Sequence, residues 1–219
     1  MTSQSFWLHT LDLTPTLERI FHDFHRSSIQ RRIMRAEREQ LSYERGYSEG
    51  LLDDFYRLMM ITRRRHRLLP QPRAWFRNLV ACMSPNAEIR LARKDGIPVA
   101  AILALRHRKM VVYKNGCSDE RFHHLAGMPF LFWKLIEEAK SEGVEWIDFG
   151  RTDLGNDGLI RFKDQFGAIR NHLTYLRYPE SVKEKLPMGS DLTAVKRLFS
   201  MLPDALSSRA GKLLYRHIG

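Results

Sequence analysis

A chain of 219 residues, 43% hydrophobic and 28% charged, can bury a core, which argues against global disorder. Its 36 Lys and Arg against 25 Asp and Glu give a net charge of +11, a surplus suited to anionic partners (RNA, nucleotides, phospholipid headgroups, anionic sugars) or to a solvated basic surface. Cys82 and Cys117 have no ligand or redox spacing, Met1–Ser5 has no signal-peptide character, and no apolar run approaches the roughly 20 residues of a membrane span, so a cytoplasmic protein without disulfides or metal is expected.

In chain order, Phe6 to Leu13 alternates as a short strand, and Thr14-Pro15 opens a helix with the stripe Leu17, Ile20, Phe21 and Phe24. A second, Arg-rich helix is expected from about Ser28 to Gln40, followed by an extended segment over 41–47. Ser48 caps the next helix, striped by Leu51, Phe55, Leu58, Met59 and Thr62 and ending in Arg63-Arg64-Arg65-His66-Arg67. Pro70 and Pro72 break it before another helix over 74–83. Three strands follow, 87–93, 97–105 and 110–113. Asp95-Gly96 makes a hairpin turn, and Asn115-Gly116 is read as the turn that ends the third strand.

Residues 119–143 read as one long helix capped by Gly143, then a buried strand over 144–149, a short helix around 159–166 closed by Gly167, and a strand over 171–178. Pro179 to Ser190 is a linker, and two amphipathic helices finish the chain. Their Lys196, Arg197, Arg209, Lys212 and Arg216 suit either packing on the domain or peripheral contact with an anionic membrane face. The order implies an α/β fold: a mixed, mostly antiparallel sheet flanked by helices, with a C-terminal helical extension. The divisions expected are an N-terminal fragment 1–47, a main domain 48–179 and the extension 180–219.

The chemistry concentrates in Asp148-Phe149-Gly150-Arg151-Thr152-Asp153 and in Phe162-Lys163-Asp164-Gln165-Phe166-Gly167. A Gly-Arg turn past a strand end, carrying two carboxylates, stands where open α/β sheets bind ligands. These motifs resemble the GNAT superfamily, and within it the Fem-type branch of peptidoglycan aminoacyltransferases, through a D-F-G-R-like strand end followed by an F-K-x-x-[FW]-G helix. Thr62–His66 and Arg31–Glu37 add to the likeness, which extends from about Arg26 to Tyr178. The resemblance implies an acyl or aminoacyl transferase acting on an amine of an envelope or polysaccharide precursor. It implies aminoacyl-tRNA or acyl-CoA as donor, with no tightly bound cofactor. Because Fem-type proteins carry two GNAT-like halves, it also implies a second half plus an N-terminal fragment, with a partner able to supply the rest.

Transfer to an amine passes through an oxyanion that a cation stabilises, and it requires a proton acceptor. Lys163 is the expected cation, in agreement with the family's F-K lysine. Asp148 and Asp153 are the expected acceptors or amine anchors, Arg151 a fork for phosphate or carboxylate, and Phe162 a packing residue. Gly150, Tyr113, Asn115 and Arg65 complete the substrate contacts, and His123, His124 and Gly127 are assigned to the donor, Gly127 to a pyrophosphate turn and the two histidines as a base or an RNA contact, or as merely exposed residues. Each has a plainer reading: Lys163 and Asp164 as a solvated helix face, Asp148 as a turn cap, Arg151 as a local partner of Asp153, Phe162 and Phe166 as core. Acetyl-CoA N-acetylation and a non-catalytic RNA- or lipid-binding module are the rival functions.

Overall fold

The structure, a computed structural model, describes residues 2–177; the linker and terminal helices expected beyond them lie outside the described residues. Seven strands form one sheet: β1 (Thr2–Asp12), β2 (Ser42–Gly46), β3 (Ala87–Lys94), β4 (Ile97–His107), β5 (Met110–Ser118), β6 (Trp146–Asp153) and β7 (Ile169–Arg177). Their order is β2-β3-β4-β5-β6-β1-β7, antiparallel throughout except between β5 and β6. The boundary expected at 47/48 therefore does not separate two sheets. β1 lies between β6 and β7, and β2 forms the far edge.

Among the described residues six α-helices cover the sheet: α1 (Leu17–Asp23), α2 (Arg31–Arg38), α3 (Glu49–Arg65), α4 (Arg73–Met83), α5 (Gly127–Ser141) and α6 (Asp157–Asp164). Period-3.6 apolar stripes put α1, α2 and α5 on one face, over Ile102, Val111, Ile147 and Phe149. The α3 and α4 stripes cover the other face, with Phe55, Leu58 and Phe76 over Ile89, Leu91 and Leu103. α6 packs against β1 and β6. Ser48 caps α3 as expected, its hydroxyl accepting from Leu51 N.

Three expected boundaries are corrected. Asn115-Gly116 is not a turn: β5 runs on to Ser118, and its register against β4 skips Lys114, so a bulge absorbs the irregularity. A Cβ at 116 would lie 2.0 Å from the Tyr113 hydroxyl, so any other residue there must displace that ring. The long helix over 119–143 is broken at Ala126 (φ 60°) into a 3-10 turn (Glu120–Leu125) and α5. Pro129 has no amide to bond the carbonyl four residues back, so it is tolerated only in the first turn of a new helix. The helix expected from Ser28 begins as a π-helical turn (Arg26–Gln30), with the His25 carbonyl accepting from both Ile29 and Gln30.

At the β2 end of the sheet the core holds a charged network. Arg90, 5% exposed, pairs with Glu138 and Glu88, while Arg45 pairs with Glu138 and Glu142. The Tyr43 hydroxyl donates to Glu138 at 2.8 Å. Each buried charge there meets an opposite one.

Candidate active site

β5 and β6 pair over only three residues, from Met110↔Trp146 to Val112↔Asp148, and then part. Just past that parting, β6 carries an extra residue. Leu8 of β1 pairs with Arg151 and Thr10 with Asp148, so Phe149 and Gly150 together face His9. Gly150 takes φ 74°, the left-handed conformation that such a bulge needs and that glycine adopts without a Cβ penalty. The expected Gly-Arg turn is thus a bulge inside a strand that continues to Asp153. Asp148 Oδ1 accepts from Gly150 N at 2.6 Å, fixing the bulge from one side, as its reading as a cap supposed.

Lys163 fixes the bulge from the other side. It is 2% exposed, and its ammonium donates to Gly150 O (2.7 Å), Thr152 Oγ1 (2.7 Å) and, more weakly, Arg151 O (3.4 Å). Its reading as part of a solvated helix face is corrected. The Asn156 side chain caps α6, whose buried face carries Ile160 and Lys163 inward. Among the described residues no carboxylate touches the ammonium. Desolvation lowers its pKa to about 8, and the Asp148 charge opposes that shift.

Strand alternation divides the expected constellation between the two faces of the sheet. Thr152 faces α6, the helix that carries Lys163. Asp148, alternating with core residues Ile147 and Phe149, faces the opposite way. So does Arg151, whose guanidinium lies 4.6 Å from the Phe6 ring centroid and 5.2 Å from that of Tyr175. Asp153, exposed, follows the alternation to Arg151's side and forms no ion pair with it, which corrects the reading of a local Arg151–Asp153 pair. The expected single cleft is therefore two half-sites back to back across the β6 bulge.

On the α5 face a cleft of about 180 Å³ opens at the start of α5, lined by Arg32, Ser118, Phe122, His123, Gly127, Met128 and Phe162 among others. No side chain caps α5, so its leading amides and its positive end face this cleft. Arg65 Nη1 and Ser118 Oγ both approach His123 Nε2, at 3.2 and 2.9 Å, and Arg65 also donates to Ser118 O at 3.3 Å. Partial burial, then the Arg65 charge, lowers the His123 pKa, which leaves Nε2 free to accept. Gly127 lines the cleft but is glycine for packing: a Cβ would come within 2.9 Å of Ala100 Cβ. His124 is exposed on the same 3-10 turn and does not line the cleft.

Phe162 joins this cleft to the bulge, packed on Phe132 and Phe166. Tyr113 packs on Phe132 from β5, with burial raising its phenol pKa. Asn115 pairs with Leu103 in the register and so faces the α3 side, with its buried Oδ1 unpartnered. Sequence reasoning gave no role to Arg32, Ser118, Thr152 or His9. Arg32 and Thr152 lie inside segments that carry the family likeness, whereas Ser118 and His9 stand in no motif.

This arrangement agrees with a family-level comparison: residues 23–164 match the model of the acetyltransferase (GNAT) domain. The chain belongs to the GNAT family. The matched span takes in the α5 cleft, the bulge and Lys163. Among solved structures, FemX superposes on this GNAT domain with a TM-score of 0.69 at 16% identity, covering 78% of this chain and 61% of FemX. The C-terminal domain of a putative lysylphosphatidylglycerol synthetase from Agrobacterium fabrum gives 0.57 at 13%, covering 78% and 60%. L-PGS from Bacillus licheniformis gives 0.53 at 15%, covering 90% and 66%. Such identities establish shared fold alone, and the chain spans about three fifths to two thirds of these structures. No curated protein matches it in sequence.

Proposed function

We propose that this GNAT domain is a Fem-type transferase that moves an acyl or aminoacyl group onto an amine of a cell-envelope or polysaccharide precursor. The observation that carries the reading is the buried Lys163 ammonium, seated without a contacting carboxylate at the parting of β5 and β6. A lysine desolvated this way costs stability, and groups kept at such a cost concentrate at functional sites. The donor end of the site is the α5 cleft. Arg32, Arg65 and the uncapped helix start suit the phosphates of either aminoacyl-tRNA or acyl-CoA. The acceptor end is the opposite face, where Asp148 and Asp153 anchor the amine and take its proton and Arg151 offers a fork to a phosphate or carboxylate.

In the step, the amine nitrogen bonds to the donor's carbonyl carbon, the carbonyl oxygen gains charge, and the carbon–oxygen or carbon–sulfur bond to the carrier breaks, the carrier leaving with a proton. Lys163 stabilises the oxyanion. Its weakest contact, to Arg151 O, is the N–H that turns toward the developing charge. FemX and a synthetase whose name joins lysine to phosphatidylglycerol share the fold, which favours envelope acceptors and an aminoacyl donor. The test is turnover of aminoacyl-tRNA and acyl-CoA with amine acceptors by the wild-type chain and Lys163→Met. The reading expects turnover that the variant loses while staying folded; full activity in the variant would remove Lys163 from the mechanism.

No helix among the described residues is long and apolar enough to cross a membrane.

A further inference from the structure

His9 is the other buried ionisable group at the bulge, and the transfer step has no part for it. Its side chain is fully buried, and neither ring nitrogen has a hydrogen-bond partner. Nε2 stops 3.5 Å from Asp164 Oδ1. That carboxylate oxygen is already held by Arg170 Nε at 3.1 Å, and Arg170 is the direct cross-strand partner of His9. On its other side His9 faces the extra residue of β6, the one whose carbonyl seats Lys163. An apolar side chain would fill this space without leaving two polar atoms unpaired, so stability does not account for a histidine here.

The charged groups around the ring are Lys163 and Asp164 from α6 and Arg170 from β7. His172 lies one step along β7, stacked on Trp7 at 4.1 Å between ring centroids. On this face β6 adds the bulge backbone, Thr152 and the apolar Ile147 and Phe149, and no charged side chain. Burial, then the Lys163 charge, holds the ring neutral, with Asp164 opposing. A proton taken from solvent onto Nε2 would close the short gap to Asp164, compete with Arg170 for that oxygen and set a second cation beside Lys163.

We propose that His9 is a positioning residue: its neutral ring leaves the Lys163 ammonium seated on the bulge carbonyls, and its protonation unseats it and stops transfer. This rests on the transferase reading of Lys163. The closing experiment therefore has one arm that needs no activity.

In the full chain, the Cε shift of Lys163 and the ring carbons of His9 are followed by NMR from pH 8 down to pH 5. His9 is expected to titrate below the ordinary histidine range, with an inflection at the same pH in the Lys163 signal. That inflection is expected to vanish in His9→Phe and in His9→Gln, the second variant serving if the first does not fold. In the activity arm, kcat of the wild type falls about tenfold per pH unit below that midpoint, whereas His9→Gln, scaled to its own rate at pH 8, shows no such acid limb. A His9 that titrates like an exposed histidine overturns the proposal, as does a Lys163 signal blind to it or an acid limb unchanged in His9→Gln. Absence of turnover with every donor, alongside a coupled NMR titration, would sink the transferase reading and leave the coupling standing.

Discussion

At the β2 end of the sheet, Arg90, Arg45 and Tyr43 converge on Glu138, and each charge taken from water meets an opposite one. At the β6–β1 end, Lys163 and His9 are as deeply buried, yet the ammonium has only neutral oxygens in contact and the imidazole has no hydrogen bond at all. The first cluster holds the fold. The second is tolerated by the fold, and that asymmetry marks it as the place where a cation is wanted for something else. Substitutions in the two clusters should therefore fail in opposite ways.

The largest effect is expected from Lys163→Met, which should lower kcat by about 100- to 1000-fold, the worth of one oxyanion donor. Its effect on stability has a distinctive sign. The folded-state pKa of about 8 lies below the ordinary 10.5, so the folded chain holds fewer protons than the unfolded chain between those values. Wild-type stability should gain about 3 kcal/mol from this group as pH rises from 8 to 10.5, the gain being lost again as pH falls to 8. Urea unfolding of wild type and variant across that window should show the gain only in the wild type.

Glu138→Gln is the converse. It removes the counter-charge that Arg90 and Arg45 share, leaving Arg90 to Glu88 and Arg45 to Glu142, and because Glu138 keeps 23% of its side chain exposed the expected loss is about 1 to 2 kcal/mol. The rate per folded molecule should stay that of the wild type. A loss of kcat without a loss of stability would mean that the two clusters are not separable.

This division was only partly legible in the sequence. The sheet, its helices, the Ser48 cap and the Asp95-Gly96 turn follow from local periodicity and turn chemistry, which short windows contain. Lys163 and Asp148 were picked out by motif, and they do meet at one bulge. What local patterns do not encode is which strand lies alongside β6. Because β1 fills that position, Gly150 became a bulge rather than a turn, and the alternation after it sent Arg151 to the face opposite Lys163. His9 was invisible for the same reason: one histidine in an alternating strand acquires its meaning only from the bulge it faces.

Gly150→Ala tests the bulge itself. An added Cβ would sit 3.7 Å from Tyr113 O, so there is room for it, and the cost is the left-handed backbone, about 1 to 2 kcal/mol. If the bulge only joins two strands, stability falls by that amount and kcat is kept. If it seats the ammonium, relaxing φ shifts the Gly150 carbonyl away from Lys163, and kcat falls further than the folded fraction does. The second outcome is expected.

The smallest effect belongs to the face opposite Lys163. Arg151 is held over Phe6 and Tyr175 and forms no ion pair among the described residues, so its planar fork is pre-set and unoccupied. Arg151→Lys keeps the charge but loses the fork and much of the stacking, about 1 kcal/mol together. If this face binds the acceptor, that loss should appear as roughly a fivefold rise in the acceptor's KM, with the donor's KM and kcat held. A rise in the donor's KM instead would place both substrates on one side of the sheet, and the Phe6–Arg151–Tyr175 stack would then be a strand-pairing device rather than part of the site.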